Sequence, residues 1–143
     1  MMLETDVLYA YIKEKDWLKP AADRIIAMIS EGKLGPVHVS REVLHELYYV
    51  SVAEGVDINE VISRFAALTA IDNLTFLETT HEIDLLALAL MTQYKIESIF
   101  DAYHAAAALN QDPDHTIIST DEVFDKIAGL NRVDPRELLK SKT

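Results

Sequence analysis

The sequence contains no cysteine. This absence excludes disulfide scaffolds, thiolate zinc sites, iron–sulfur clusters and cysteine nucleophiles. Glycine and proline are also scarce, with 4 of each among 143 residues, and neither a repeat nor a low-complexity segment divides the chain. Because 50% of the residues are hydrophobic, the chain can supply one sizeable core, and we expect a single domain over residues 1–143.

Long apolar runs are missing as well. The longest, residues 85–91 and 105–109, fall far short of the ~20 residues that a membrane-spanning helix needs. The first residues include Glu4 and Asp6, and they show neither the basic start nor the small-residue cleavage site of a secretory signal. The sequence therefore predicts a cytoplasmic protein without a membrane span.

Basic residues are outnumbered. There are 13 Lys and Arg against 24 Asp and Glu, which gives a net charge of -11 and a pI near 4.7. A surface that follows nucleic-acid phosphates is usually basic, so this balance disfavours broad RNA affinity. Three interpretations stay open: a solvated acidic surface that maintains solubility, acids gathered around a divalent cation, and a basic partner protein.

Short runs of branched apolar residues alternate with longer segments of helical period. This alternation is typical of parallel strands joined by helices, and it predicts an α/β fold with helices flanking a short central parallel sheet in three layers. The predicted strands are residues 1–5, 37–39, 74–77, 116–119 and a weak one at 132–133. The predicted helices are residues 7–12, 18–31, 41–54, 58–68, 82–94, 101–109, 122–128 and 135–140.

Carboxylates follow two of the predicted strands. Asp6 comes after the first strand and Asp121 after the fourth. In an open parallel sheet, ligands bind beyond the carboxyl ends of the strands, so both acids are expected at one edge. Each also precedes a helical segment and could simply cap that helix.

Two further acids lie on predicted helices. Glu46 shares the face of the apolar residues Val43 and Val50, so it is either buried with a partner or at the border of that face, reaching water. Asp101 opens an alanine-rich helix that can pack closely, although it too could be a cap. Gathered carboxylates repel one another unless a cation lies among them, and without cysteine the expected ion is Mg²⁺ or Mn²⁺.

Four segments carry a resemblance to a known family. They are residues 3–8 (LETDVL), 43–47 (VLHEL), 101–107 (DAYHAAA) and 118–125 (ISTDEVFD). In this order and at these separations, the sequence resembles the PIN-domain ribonucleases. Its size and layout are similar to those of the VapC-type toxins of prokaryotic toxin–antitoxin pairs.

The resemblance implies roles for particular residues. The metal-binding and catalytic acids would be Glu46, Asp101, Asp121 and an acid after the first strand. The family usually has an aspartate where this chain has Glu4, so either Glu4 reaches the metal or Asp6 replaces it. The auxiliary residues would be Ser119, Thr120 and Asp125.

The resemblance also implies a function. The implied function is that of an endoribonuclease that hydrolyses RNA phosphodiesters with one or two Mg²⁺ or Mn²⁺ ions. The role of toxin in a toxin–antitoxin pair is one option for such an enzyme. The implied partners are an RNA substrate, an antitoxin protein and a second copy of the chain. The alternative is a catalytically weak or inactive PIN-fold module that binds proteins, which Glu4 and the acidic surface favour.

Some residues outside the acids carry weaker expectations. The cations expected nearest to the RNA are Lys13, Lys15, Lys19 and Arg41. The residues that could form a dimer or antitoxin groove, and that otherwise belong to an ordinary core, are Trp17, Leu18, Tyr48, Tyr49 and Phe65. His104 lies three residues after Asp101 and could join a zinc site. No second spaced ligand pair accompanies it, so we expect a histidine at the surface or one that supports the acids.

Overall fold

The computed structural model of the chain describes residues 1–141. Its centre is a sheet of five parallel strands in the order β3-β2-β1-β4-β5. The strands are β1 (Met2–Leu3), β2 (Val37–Ser40), β3 (Leu74–Leu77), β4 (Thr116–Ile118) and β5 (Asn131–Val133). The helices are α1 (Thr5–Ile12), α2 (Lys19–Ser30), α3 (Glu42–Ala53), α4 (Ile58–Thr69), α5 (His81–Tyr94), α6 (Ile99–Gln111) and α7 (Pro135–Ser141), with a short 3₁₀ helix at Glu122–Lys126.

The two faces of the sheet are buried in separate hydrophobic clusters. Leu3 and Ile118 belong to one cluster, and their chain neighbours Met2 and Ile117 belong to the other. This division follows from the period of two along a strand. The expected core is therefore split by the sheet into two parts, and the predicted three-layer α/β fold is confirmed.

Different helices cover each face. The first cluster takes in side chains of α1, α2, α3, α4 and α7, whereas the second takes in side chains of α5, α6 and the 3₁₀ helix. No helix within residues 1–141 is both long enough and apolar enough to cross a bilayer.

The first predicted strand ends earlier than expected. β1 stops at Leu3, and Glu4 adopts an extended conformation in which its carboxylate accepts a hydrogen bond from the backbone N–H of Asp6. Glu4 is therefore the N-cap of α1, and the prediction of a strand up to residue 5 is wrong there. Because β1 and β4 are in register, with Leu3 opposite Ile118, Glu4 emerges beside the end of β4.

The end of the chain holds a second departure. Residues 122–126 form a 3₁₀ helix instead of the predicted α-helix. The segment is too short to build several α-helical turns, and Gly129 follows it with a φ of +83°, a left-handed conformation that glycine adopts without steric cost.

Small side chains let α6 pack tightly against its neighbours. Ala102, Ala105, Ala106 and Ala108 are completely buried among α5, the sheet and the 3₁₀ helix. A close-packed site of this kind has no space for added methyl groups. The alanine-rich sequence thus fixes how deeply α6 sits, and with it the position of Asp101 at its start.

We expect Ala106→Leu to lower the free energy of unfolding by about 1–3 kcal/mol, because the larger side chain overpacks the contact between α5 and α6. Ala67 on α4 is exposed, so Ala67→Leu is the matched control and should change stability by less than about 0.5 kcal/mol. Urea denaturation of both variants measures the difference. Equal midpoints would show that α6 is not tightly packed.

Candidate active site

The ends of β1 and β4 meet at a buried serine. Ser119 is fully buried and its hydroxyl donates a hydrogen bond to Glu4 Oε2 at 3.0 Å. The Ser119 oxygen also accepts a hydrogen bond from the backbone N–H of Asp121 at 3.0 Å. Ser119 therefore joins the acid that follows β1 to the loop that follows β4.

Asp6 ties the start of α1 to the same loop. Its Oδ2 accepts hydrogen bonds from the backbone N–H of Thr120 at 2.8 Å and from the Thr120 hydroxyl at 2.6 Å. Its Oδ1 accepts one from the backbone N–H of Val7 at 2.8 Å. Both carboxylate oxygens of Asp6 are thus engaged within the protein.

Glu46 is held by two side chains from other helices. Its Oε1 accepts a hydrogen bond from the hydroxyl of Thr5 on α1 and lies 2.8 Å from Nε2 of His104 on α6. The same His104 nitrogen lies 3.0 Å from the Thr5 oxygen. This contact brings α1, α3 and α6 together, and it explains why Glu46 can lie on the apolar face of α3.

Asp101 and Asp121 lie at the more open side of the site. Asp121 is exposed and caps the 3₁₀ helix by accepting a hydrogen bond from the backbone N–H of Val123 at 2.9 Å. Asp101 is not a cap, because Ser98 caps α6 and accepts the hydrogen bond from the Asp101 N–H. Its carboxylate is therefore left available to the site.

These acids line one cavity of about 350 Å³. The lining residues are Glu4, Thr5, Asp6, Tyr9, Glu46, Val50, Asp101, Thr120 and Asp121. The predicted acids after β1 and β4 and on α3 and α6 are thus brought together, as the sheet topology required.

The carboxylates perturb one another strongly. Burial raises the pKa of Glu4 well above its ordinary value, and the negative charges of Asp6 and Glu46 add to the effect. Burial and the charges of Asp121 and Glu46 raise the pKa of Asp101 to about 6. Burial would also raise the pKa of Glu46, but hydrogen bonds with His104 and Thr5 bring it below the ordinary value. This accumulation of negative charge is the setting in which a bound cation is most stabilising.

Part of the cluster has the spacing of a metal site. One ligand atom each from Glu4, Glu46 and His104 lie within 4.8 Å of one another. With Asp101 and Asp121 in the same cavity, the available ligands are mostly carboxylate oxygens, which hard divalent ions prefer. The residues present therefore fit an ion such as Mg²⁺ or Mn²⁺.

His104 and Thr5 were not among the predicted site residues. The signal for His104 was its position three residues after Asp101, one turn along the same helix, in an otherwise alanine-rich buried face. Thr5 carried no such signal, because its place in a predicted strand hid its position at the first turn of α1.

Asp125 lies outside the cavity. It is exposed and forms a two-fold hydrogen-bonded ion pair with Arg132, at 2.8 Å and 3.0 Å. Arg132 in turn donates a hydrogen bond to the backbone carbonyl of Ser119 at 3.0 Å. Asp125 therefore reaches the site only through Arg132.

The expected cations are spread over the surface. Lys13 and Lys15 line a separate hollow together with Arg64, and Lys13 Nζ lies 4.7 Å from the ring centre of Tyr9, which also lines the acidic cavity. Lys19 forms an ion pair with Asp23, and Arg41 forms one with Glu78.

The expected apolar groove residues divide into two groups. Leu18 is buried and Phe65 packs against the first core cluster. Trp17, Tyr48 and Tyr49 are exposed by 67%, 46% and 69% of their surface. Leu18 and Phe65 thus belong to the core, whereas a place in the core is wrong for the three exposed aromatic residues.

The family model of the PIN domain matches residues 1–130. The chain therefore belongs to the PIN domain family, as the sequence resemblance predicted. No curated protein matches the sequence.

Solved structures of VapC proteins have the same fold. VapC20 of Mycobacterium tuberculosis, a toxin that cleaves the sarcin–ricin loop, has a TM-score of 0.73 at 19% identity, covering 94% of this chain and 98% of that one. VapBC2 of Rickettsia felis, bound to a DNA fragment from its promoter, has a TM-score of 0.70 at 17% identity, covering 93% and 96%. A toxin–antitoxin complex from Klebsiella pneumoniae has a TM-score of 0.64 at 16% identity, covering 94% and 96%.

Removing the charge of Asp101 should stabilise the metal-free protein. Because the fold raises the pKa of this acid to about 6, the folded state holds the proton more tightly than the unfolded state, and the free energy of unfolding falls as the pH rises from about 4 to about 6. We expect Asp101→Asn in EDTA to gain about 1 kcal/mol near neutral pH, after allowance for solvent screening, and to match the parent at about pH 3. Melting curves across this range measure the effect, and a variant that melts below the parent near neutral pH would contradict it.

Proposed function

We propose that this protein is a metal-dependent endoribonuclease that hydrolyses RNA phosphodiesters, and that it acts as the toxin of a toxin–antitoxin pair. The observation that carries the proposal is the cavity in which a PIN fold assembles five carboxylates from separate parts of the chain. Such a cluster is costly for the fold, and binding of a divalent cation would offset this cost.

The proposed metal ligands are Glu46, Asp101, Asp121 and Glu4. Glu4 is favoured over Asp6 because one of its oxygens lies within 4.8 Å of an oxygen of the proposed ligand Glu46. Asp6 instead uses both of its oxygens to hold Val7 and Thr120. The longer glutamate side chain thus takes the place of the family's usual aspartate, and Asp6 fixes the loop beside it.

The chemistry that one or two Mg²⁺ or Mn²⁺ ions supply in such a site is activation of water and neutralisation of charge on the phosphate. The chain's own residues hold the acids in place: Ser119 donates to the ligand Glu4, and Thr120 donates to Asp6, which is not a ligand and fixes the loop. In the net reaction, a water oxygen forms a bond to phosphorus, the bond from phosphorus to the leaving sugar oxygen breaks, and a proton of the water ends on that sugar oxygen. No protein nucleophile is required.

The proposed substrate contacts lie next to the cavity. Tyr9 lines the acidic site and is covered by Lys13, which lines the neighbouring hollow together with Lys15 and Arg64. These cations are the counter-charges that we propose for an RNA backbone on a chain with a net charge of -11.

Two of the similar structures support the antitoxin that we propose as a partner. The Rickettsia felis structure is of a VapBC pair, and the Klebsiella pneumoniae structure is a toxin–antitoxin complex. We infer an antitoxin partner for this chain, and a homodimer as its own assembly. The exposed aromatic residues Trp17, Tyr48 and Tyr49 are the side chains that such contacts would bury.

Cleavage of a pool of labelled single-stranded and structured RNAs tests the activity. We expect cleavage with Mg²⁺ or Mn²⁺ and none in EDTA, and a loss of on the order of 10²-fold or more in Asp101→Asn and Glu46→Gln. Asp72 is exposed, does not line the cavity and lies before the start of β3, whereas the site lies at the carboxyl ends of the strands. Asp72→Asn should therefore cleave like the parent. If the parent cuts no RNA and Mn²⁺ does not raise its melting temperature, the protein-binding alternative is favoured.

The choice between Glu4 and Asp6 is tested by Mn²⁺ binding. We expect Glu4→Gln to weaken binding about 10-fold or more, because it removes a ligand charge. Asp6→Asn should bind Mn²⁺ within about 3-fold of the parent, because the amide oxygen can still accept both hydrogen bonds from Thr120, and the variant loses only the acceptor for the N–H of its neighbour Val7. Isothermal titration calorimetry measures both, and the reverse order would assign the first ligand to Asp6.

A further inference from the structure

The side chain of His104 is less exposed than that of Glu4 or Glu46, and the proposed reaction gives it no role. It lies on α6 one turn after Asp101, and its side chain is 2% exposed. Its two ring nitrogens have different surroundings. These surroundings decide which nitrogen carries a proton and whether the ring can bind a metal.

Only one of the two nitrogens has a polar partner. Nε2 lies 2.8 Å from Glu46 Oε1 and 3.0 Å from the Thr5 hydroxyl oxygen. Nδ1 is buried and has no hydrogen-bond partner among residues 1–141. A proton on Nδ1 would therefore be a buried donor without an acceptor, which is unfavourable. A proton on Nε2 instead points to a carboxylate.

The proton on Nε2 has a consequence for metal binding. A histidine binds a metal through a nitrogen lone pair, and its other ring N–H usually donates to a carboxylate, a carbonyl or water. Here Nε2 faces Glu4 and Glu46 at metal-site spacing, but the opposite nitrogen has no acceptor to hold a proton. The geometry therefore disfavours His104 as a ligand.

We propose that His104 is a positioning residue that donates a hydrogen bond from Nε2 to Glu46 Oε1. Together with the Thr5 hydroxyl it occupies that oxygen, so that Oε2 is the atom Glu46 presents to a cation. The inference rests on the proposed metal site. It makes the ligand set all oxygen, which suits Mg²⁺ and Mn²⁺ and removes the nitrogen ligand that would favour Zn²⁺.

Nitrogen NMR of the unmutated protein tests the hydrogen-bond donor. Long-range ¹H–¹⁵N spectra of uniformly labelled protein distinguish the two ring nitrogens, and comparison with His104→Gln assigns the His104 signals. We expect Nε2 to carry the proton in the metal-free protein and to keep it when Mg²⁺ is added to saturation. A spectrum in which Nδ1 carries a proton, or in which Mg²⁺ removes the proton from Nε2, overturns the proposal.

Mn²⁺ binding to two variants tests the positioning role. In His104→Gln an amide N–H can replace the donor, whereas His104→Leu keeps the bulk and removes the donor. We expect the Gln variant to bind Mn²⁺ within about 3-fold of the parent and the Leu variant to bind about 10- to 100-fold more weakly. A melting curve of each variant without metal checks that both are folded. Equal binding by the Leu variant, or a directly bound ¹⁴N in pulsed EPR of the parent with Mn²⁺, overturns the proposal.

The two proposals fail in different ways. If the parent protein binds no Mn²⁺, the proposed metal site is wrong, and His104 has no ligand to position. The NMR spectrum of the metal-free protein still shows which nitrogen donates. A parent that binds Mn²⁺ but cleaves no RNA overturns the nuclease and leaves the role of His104 intact.

Discussion

The architecture depends on keeping several carboxylates together in a small, partly buried volume. Coulomb repulsion and desolvation both oppose this arrangement, and the raised pKa values of Glu4 and Asp101 show the cost. The protein offsets part of it with hydroxyls and backbone N–H groups. Ser119, Thr5 and Thr120 each donate to one acid, and each lies at a strand end or in the first turn of a helix.

These donors lie in place because of the parallel sheet. β1 and β4 end side by side, so Glu4 and Ser119 become neighbours without any irregular backbone between them. α3 and α6 then add Glu46 and Asp101 from opposite faces of the sheet, and the buried alanines of α6 allow that helix to approach closely. Part of the acidic composition of the chain is thus concentrated at one edge of its sheet.

Much of this arrangement could be predicted from the sequence. Hydrophobic periodicity located the elements, and the rule for the carboxyl ends of parallel strands located Asp6 and Asp121. The sequence could not show which side chains contact one another when they are far apart in the chain. The hydroxyl of Thr5 and the ring of His104 meet at Glu46 only after three helices have packed. Nor could periodicity separate a strand end from a helix cap, which is why Glu4 was expected within β1.

The hydrogen bond between Ser119 and Glu4 joins residues 115 positions apart. β1 is translated before β4 and before the loop that bears Asp121, so Glu4 has no Ser119 to contact until that later segment is made. The cavity cannot be complete until all of its lining residues, from Glu4 to Asp121, have been synthesised. Until then, Glu4 and Asp6 lack the hydroxyl and N–H groups of Ser119 and Thr120 that hold them in the folded protein.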